Sequence, residues 1–395
     1  MYTRLAKRVQ RTQASPTMTI AARAAELRAA GADVISLAEG EPDFDTPEHA
    51  QAAAMAAIRA GETRYTPVDG TPTLKRAIRD KLARDNGLGY SEGEIIACSG
   101  AKHALYNLMA AVLDPGDEVI IPAPFWVSYP DMTRLADGVP EIVDTRPEDG
   151  FKITPEQLED AITDRTRLLV LNSPCNPTGA VYSAHELRAL GTVLESHPDI
   201  FIASDDIYEG ILWAPEPFAN IAAVYPALRE RTAVINGVSK SYAMTGWRLG
   251  YAAGPEPVIA AMRKIQSQST SNPCSVSQAA ATAALAGDQS CVDRMAHAFH
   301  ERHDYVLERL RAMPGIRCQP GYGAFYCFPD VRGVLSNLRL DSDAALARHL
   351  IDRAELALVP GEAFGAPGHI RVAYAASMTT LERAMDRLEA AVSVG

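Results

Sequence analysis

Lys240 is set apart from the other basic residues by its surroundings in the chain. It follows the apolar run Thr232–Ile235 within a loop of small residues, Asn236-Gly-Val-Ser239-Lys240-Ser241, and Arg248 comes eight residues later. Most lysines are solvated surface groups. A lysine desolvated near other cations loses its proton more readily and becomes a nucleophile able to form a Schiff base with a carbonyl. Arg248 carries the planar fork that a phosphate accepts in bidentate fashion.

Three further segments carry residues of unusual type. In Ile200-Phe-Ile-Ala-Ser-Asp205-Asp206-Ile-Tyr208 a carboxylate ends a hydrophobic stretch, which is costly unless it meets a cation or hydrogen-bond donors. Paired with a protonated heterocyclic nitrogen, Asp205 would hold that nitrogen charged. Tyr208, three residues on, could give a hydroxyl proton to a neighbouring oxygen, and Asp206 reads as an N-cap or surface acid. Asn172-Ser-Pro-Cys-Asn176-Pro-Thr-Gly179 is either a proline-stiffened turn or a mount that aims the Asn176 amide at a ligand oxygen. Ser99-Gly100-Ala101-Lys102 lies between an apolar run and a helical pattern. It is either an ordinary strand-to-helix turn or a phosphate cradle at a helix N-terminus.

The elements that must position these residues are legible as periodicity. Short apolar runs at Glu94–Cys98, Glu118–Ile121, Arg167–Leu171, Ile200–Ala203 and Thr232–Ile235 alternate with helical patterns such as His103–Val112 and His185–Leu194. That alternation predicts an α/β fold with a mostly parallel central sheet and crossover helices. Gly100, Asn176, Asp205 and Lys240 each fall within about five residues of a strand's C-terminal end, and Trp126 falls just after another. Ligands of open α/β sheets bind at that edge, so five segments predict one site. After residue 290 the pattern becomes a long charged helix near Asp293–Met313, a run Ala324–Phe328, a helix near Ser342–Ala354, runs at Ala357–Val359 and Ile370–Tyr374, and a last helix. The expected division is a large domain over 47–290 and a smaller α+β domain formed by 15–46 together with 291–395.

Composition sets outer limits. The 395 residues are 47% hydrophobic and 22% charged, with a formal charge of −11, which argues against nucleic-acid backbone binding as the main task. Six scattered cysteines without a CxxC pair fit reduced thiols in a cytoplasmic protein better than a disulfide framework. Arg4, Lys7, Arg8 and Arg11 precede no apolar core of a secretory signal, and no run approaches the length of a membrane span. His297, His300 and His303 lack the i, i+4 spacing of a helical zinc pair and read as helix-surface histidines, so no metal is expected. Gly321-Tyr-Gly323 precedes an apolar run rather than a helix, which removes a dinucleotide reading.

The chain resembles the fold-type I aminotransferases that use pyridoxal 5′-phosphate, nearest their bacterial aspartate aminotransferase branch. The resemblance runs from Arg8-Val-Gln to His369-Ile-Arg371-Val-Ala-Tyr. It is carried by Ala38-Glu-Gly40-Glu-Pro-Asp-Phe-Asp-Thr-Pro47, Tyr65-Thr-Pro, Pro124-Phe-Trp126-Val-Ser-Tyr-Pro, Asn176-Pro-Thr-Gly, Ser204-Asp205-Asp-Ile-Tyr208, Ser239-Lys240 through Arg248, and Gly323-Ala-Phe-Tyr. It implies that Lys240 binds the cofactor and shuttles the substrate's α-proton, and that Asp205 pairs with the pyridinium nitrogen. Tyr208 and Asn176 would face the ring's phenolic oxygen and Trp126 its face. Gly100, Ala101, Lys102, Ser239 and Arg248 would hold the phosphate, with Tyr65 reaching in from a second subunit of a homodimer. Arg371 would clamp the substrate α-carboxylate beside Gly40, with Trp126, Asn176 and Thr17 at the substrate.

Two departures from the family pattern bear on function. Gly237 stands where many relatives have a serine that meets the phosphate. Ala110 stands about where some dicarboxylate-reading relatives have a lysine. The resemblance therefore implies transfer from an L-amino acid, aspartate first, to a 2-oxo acid such as 2-oxoglutarate. Aromatic amino acids or prephenate, or a C–S lyase reaction on the same cofactor, are the alternatives. A transcriptional regulator built on the same domain is disfavoured, since about forty residues precede the Gly40 motif and the charge is acidic.

Overall fold

The computed structural model describes residues 5–13 and 16–393. Arg4 of the basic N-terminal stretch, and Ser15, Val394 and Gly395 of the expected small domain, lie outside the described residues. Two helices, Lys7–Gln10 and Pro16–Ala29, precede a short strand, β1 (Ile35–Ser36), and the helices Glu48–Arg59 and Pro72–Asn86 lead from it into a seven-stranded sheet. Its strands are β2 (Ile95–Cys98), β3 (Glu118–Ala123), β4 (Val139–Asp144), β5 (Thr166–Asn172), β6 (Phe201–Asp205), β7 (Thr232–Gly237) and β8 (Gly250–Ala253). Their spatial order is β2-β8-β7-β6-β5-β3-β4. The pairs β3–β4, β3–β5, β5–β6 and β6–β7 are parallel, whereas β8 is antiparallel to both its neighbours. The sheet is thus mostly parallel, as its alternating pattern predicts.

The parallel strands read as continuous apolar runs because helices cover both faces. Ile96, Val119, Ile121 and Ile235 pack with Leu105 and Leu108 of the helix Ala101–Val112 on one side. Ile120, Leu169, Leu171 and Ile202 pack with Leu187 and Leu190 of the helix Ala184–Glu195 on the other. That second helix starts at a capping box in which Ser183 accepts from the Glu186 N–H and Glu186 accepts from the Ser183 N–H. β4 and β8 escaped the sequence reading for different reasons. β4 is an exposed edge strand with polar residues, and β8, Gly-Tyr-Ala-Ala, has one residue of high strand preference.

The remaining strands are short: β9 (Tyr326–Cys327), β10 (Leu356–Ala357), β11 (Val359–Pro360) and β12 (Ile370–Ala373). The expected strand Ala324–Phe328 shrinks to two residues, since Ala324 takes a left-handed φ of 60°. β12 pairs antiparallel with β11 and β9, and β1 pairs parallel with β10, which ties the N-terminal segment to the C-terminal part. Ile35 and Leu37 share a core with Phe299, Leu350, Leu356 and Leu388, and Tyr208 and Ile211 from beyond β6 join it.

Two expectations fail here. His303 is not on the surface: it is 3% exposed, on the face of the helix Ser290–Ala312 that carries Phe299 and Val306 into the core. Its Nε2 accepts from the Gly321 N–H at 3.1 Å, and burial holds its pKa below the ordinary value despite neighbouring Asp304. Asp206 is likewise buried rather than a surface acid, accepting from Ser204 at 2.7 Å and from Asn220 at 2.5 Å. No helix of the described residues is long and apolar enough to cross a membrane.

Candidate active site

A cavity of about 280 Å³ opens at the C-terminal edge of the parallel strands. Of the residues singled out in sequence, Thr17, Gly40, Ala101, Lys102, Trp126, Asn176, Asp205, Tyr208, Ser239, Lys240, Arg248 and Arg371 all border it. Most arrive from the ends of β2, β3, β5, β6 and β7, which is how such a sheet gathers distant residues at one rim, and the rest from the N-terminal segment, the approach to β8 and, for Arg371, from β12 of the separate antiparallel sheet. Two do not border it. Gly100 sits one residue behind the lining, and Tyr65 is 92% exposed on the outside of the chain.

Lys240 follows β7 and points its Nζ at the Gly40 carbonyl, 2.5 Å away. Burial is the main cause that brings its pKa down to about 8; Glu41 opposes, and Arg371 and Arg248 add to the lowering. At neutral pH a useful fraction of the amine is therefore free of its proton. Asp205, at the end of β6, is 3% exposed. Burial pushes its pKa up to about 6, against a hydroxyl donated by Tyr129 at 2.6 Å and the positive Lys240. Asn172, at the end of β5, fixes two neighbours at once. Its amide donates to the Asp205 carbonyl at 2.9 Å and its oxygen accepts the Asn176 N–H at 2.9 Å.

Arg371 on β12 is the most telling side chain electrostatically. It is 2% exposed, yet its hydrogen-bond partners are neutral: Asn176 Oδ1 at 3.0 Å and the Ala38 carbonyl at 2.5 Å. Its Nε has no partner among the described residues. The guanidinium lies 4.6 Å from the Tyr326 ring centre and 5.0 Å from that of Phe364. Burial lowers its pKa, opposed by the charges of Tyr326, Tyr208 and Glu39. A buried cation without a carboxylate partner is costly, and the cavity it faces is where an anionic ligand would relieve that cost.

A second anion-attracting region forms beside Gly100. Arg248 takes a left-handed φ of 53°, its Nη1 donating to the Thr245 carbonyl at 2.8 Å. Gly100 itself has φ 95°, and a Cβ there would lie 2.5 Å from Arg248 Nη2, so only glycine lets the guanidinium approach this turn. Lys102 lies 4.9 Å from the Trp126 ring centre, and burial together with the charge of Arg248 lowers its pKa. Two cations repelling each other beside a helix N-terminus form a site for an anion.

Several lining residues had no role in the sequence reading. Tyr129 stands three residues beyond Trp126 and reaches Asp205, and Tyr326 OH pairs with Tyr208 OH at 2.8 Å. Both lie inside quoted motifs, but aromatic residues in apolar runs give no sign of which hydroxyl meets what. A Cβ on Gly40 would come within 2.6 Å of Tyr326 OH, so that glycine makes room for the Tyr208–Tyr326 pair. Ala110 does not border the cavity. At Gly237 a Cβ would meet Gly250 Cα at 2.8 Å and the Leu249 carbonyl at 2.9 Å, so the close pairing of β7 with β8 leaves no space for a side chain.

Known proteins share this architecture. The family model described as Aminotransferase class I and II matches residues 32–388. The aspartate/prephenate aminotransferase of Nitrosomonas europaea is 52% identical, across 99% of this chain and 100% of its own. The aspartate aminotransferase of Geobacillus stearothermophilus is 49% identical across 98% of both. Among solved structures, the aspartate aminotransferase of Rhizobium meliloti superposes with a TM-score of 0.96 at 46% identity, over 99% of each chain. That of Thermus thermophilus with maleate superposes with a TM-score of 0.93 at 43% identity, over 99% of this chain and 100% of that one.

Proposed function

The chain belongs to the class I and II aminotransferases, and from that premise we propose that it moves the amino group of L-aspartate to a 2-oxo acid, 2-oxoglutarate foremost, with pyridoxal 5′-phosphate held at Lys240. The donor rests on relatives named aspartate aminotransferase. The observation that carries the chemistry is the pairing, in one cavity, of a desolvated amine at Lys240 with the carboxylate-free buried guanidinium of Arg371.

The cavity's own groups suit that cofactor. Arg248, Lys102, Ser239 and the Gly100–Ala101 turn form the anion cradle a phosphate needs, and buried Asp205 is an acid that a protonated ring nitrogen would keep ionised. When bound, the cofactor supplies an electron-withdrawing ring that stabilises negative charge at the substrate α-carbon. The protein's residues do the rest. Arg371, held by Asn176 and Ala38, grips the α-carboxylate and fixes which bond at the α-carbon faces Lys240. The free amine of Lys240 takes the α-proton and returns it, which a pKa near 8 permits in both directions. Trp126 would cover the ring face and exclude water, while Tyr208 and Asn176 would face its phenolic oxygen. Thr17 and Gly40 border the substrate end.

We further propose a cytoplasmic homodimer divided into 47–290 and 15–46 with 291–395. Tyr65 is 92% exposed, and Met55 and Ile58 are half-exposed on the nearby helix Glu48–Arg59, which supports a partner covering that face. Sedimentation showing a fully active monomer would refute it. A second substrate reading has specific support, since relatives at 52% and 49% identity are named aspartate/prephenate aminotransferases. A kcat/KM panel over aspartate, glutamate, aromatic and aliphatic donors, with 2-oxoglutarate, oxaloacetate and prephenate as acceptors, tests both. Aspartate is expected to lead. Stoichiometric pyruvate and ammonia without any oxo acid would instead mark a lyase.

A further inference from the structure

Asp205 has two carboxylate oxygens, and the structure treats them differently. Oδ2 accepts the Tyr129 hydroxyl at 2.6 Å, and Oδ1 has a single donor, the Ile207 N–H, at 3.4 Å. Tyr129 is 2% exposed and is held through its backbone and its ring. Its N–H donates to the Trp126 carbonyl at 3.0 Å, its own carbonyl accepts from Thr133 Oγ1 at 2.9 Å, and its ring meets Trp126 edge-on at 5.4 Å. The turn that leads into the helix Ser128–Leu135 thus carries both the indole at the cavity and the hydroxyl on the acid.

We propose that Tyr129 is a positioning residue whose hydroxyl fixes the rotation and the ionised state of Asp205, leaving Oδ1 free to meet the cofactor's ring nitrogen. This rests on the reading that Asp205 faces that nitrogen. Asp205 is 3% exposed, and without the Tyr129 hydroxyl its carboxylate loses its best donor. The other charged groups around it do not substitute. Among the described residues Lys240 is the cation that acts on Asp205, the neighbouring acid Asp206 repels its charge, and the hydroxyl of Tyr208 is already paired with Tyr326. Among the influences that hold the Asp205 acid down, the Tyr129 hydrogen bond is the largest. With it removed, the proton shared between carboxylate and ring nitrogen moves towards Asp205.

The test is ¹⁵N NMR of the holoenzyme loaded with pyridoxal phosphate labelled at the ring nitrogen. Tyr129→Phe is expected to move the resonance towards the unprotonated position, with a proton partition altered about tenfold, the equivalent of one pKa unit. Its apoprotein is expected to bind the cofactor more weakly by a similar factor. Asp205→Asn serves as the control. If Asp205→Asn moves the resonance and Tyr129→Phe leaves it in place, the role of Tyr129 is overturned and Asp205 keeps its partner. If neither moves it, the reading of Asp205 is itself wrong and takes the inference with it. Should Tyr129→Phe fail to fold, fluorotyrosine at 129, a stronger donor, is expected to shift the resonance the opposite way; no shift there overturns the proposal.

Discussion

Gly237→Ser asks whether the hydroxyl found in many relatives can be restored to this chain. A hydrogen bond from a serine to a phosphate would add about 1.5–3 kcal/mol to cofactor binding. The structure predicts that the gain is not realised. Gly237 pairs with Gly250 across β7 and β8, and a Cβ would sit 2.8 Å from Gly250 Cα and 2.9 Å from the Leu249 carbonyl. Both obstacles are backbone and cannot rotate away. Gly250 in turn lies against the cradle, since a Cβ on it would fall 2.2 Å from the Ala101 nitrogen. Pushing β8 outward therefore displaces the Gly100–Ala101 turn. Overpacking of this kind costs about 1–3 kcal/mol, which for a chain of this length lowers Tm by about 1–4 °C. Melting of the apoprotein and fluorescence titration with pyridoxal phosphate read the two effects. The expected result is a lower Tm with cofactor affinity unchanged or reduced. An unaltered Tm with tighter binding would refute the steric reasoning.

Arg371→Lys keeps the charge but loses the fork, leaving Asn176 Oδ1 and the Ala38 carbonyl without their donor. The kcat/KM for aspartate is expected to fall about 10- to 10²-fold, the effect of losing a hydrogen bond to a charged group worth about 1.5–3 kcal/mol, with cofactor affinity preserved; a change under threefold would remove Arg371 from substrate binding. Reconstitution of apoprotein should depend on pH through Lys240. Its pKa is lowered to about 8, so the reactive amine gains as pH rises to that value. The association rate with pyridoxal phosphate is expected to climb about tenfold per pH unit below 8 and to level above it. A rate still climbing at pH 10 would show that Lys240 is not desolvated.

The sequence announced the sheet edge because long-range convergence leaves a local trace there. A polar or small residue just after a buried apolar run, as at Asn176, Asp205 and Lys240, is costly enough to be conspicuous. Residues whose role depends on a partner far along the chain leave no such trace. Tyr129 meets Asp205 across 76 residues and Tyr326 meets Tyr208 across 118, and nothing local distinguishes either from a core aromatic. His303 divides the two cases: its place on the face of Phe299 and Val306 is written in its own helix, whereas its partner, the Gly321 N–H 18 residues on, is not. β4 and β8 were illegible because an exposed edge and a Gly/Ala-rich strand both lack the apolar signature that marks β5, β6 and β7. Gly237 is the reverse case. Its lack of a side chain looked like a lost contact, and in three dimensions it is a condition of β7 and β8 lying together.

The direct test of the central claim is reduction of the holoenzyme with sodium borohydride, followed by peptide mass spectrometry. The prediction is a phosphopyridoxyl group on the peptide containing Lys240, and no label together with no aldimine absorbance in Lys240→Ala. Label on Lys102, the other lysine at the cavity, or a fully active Lys240→Ala would contradict the account.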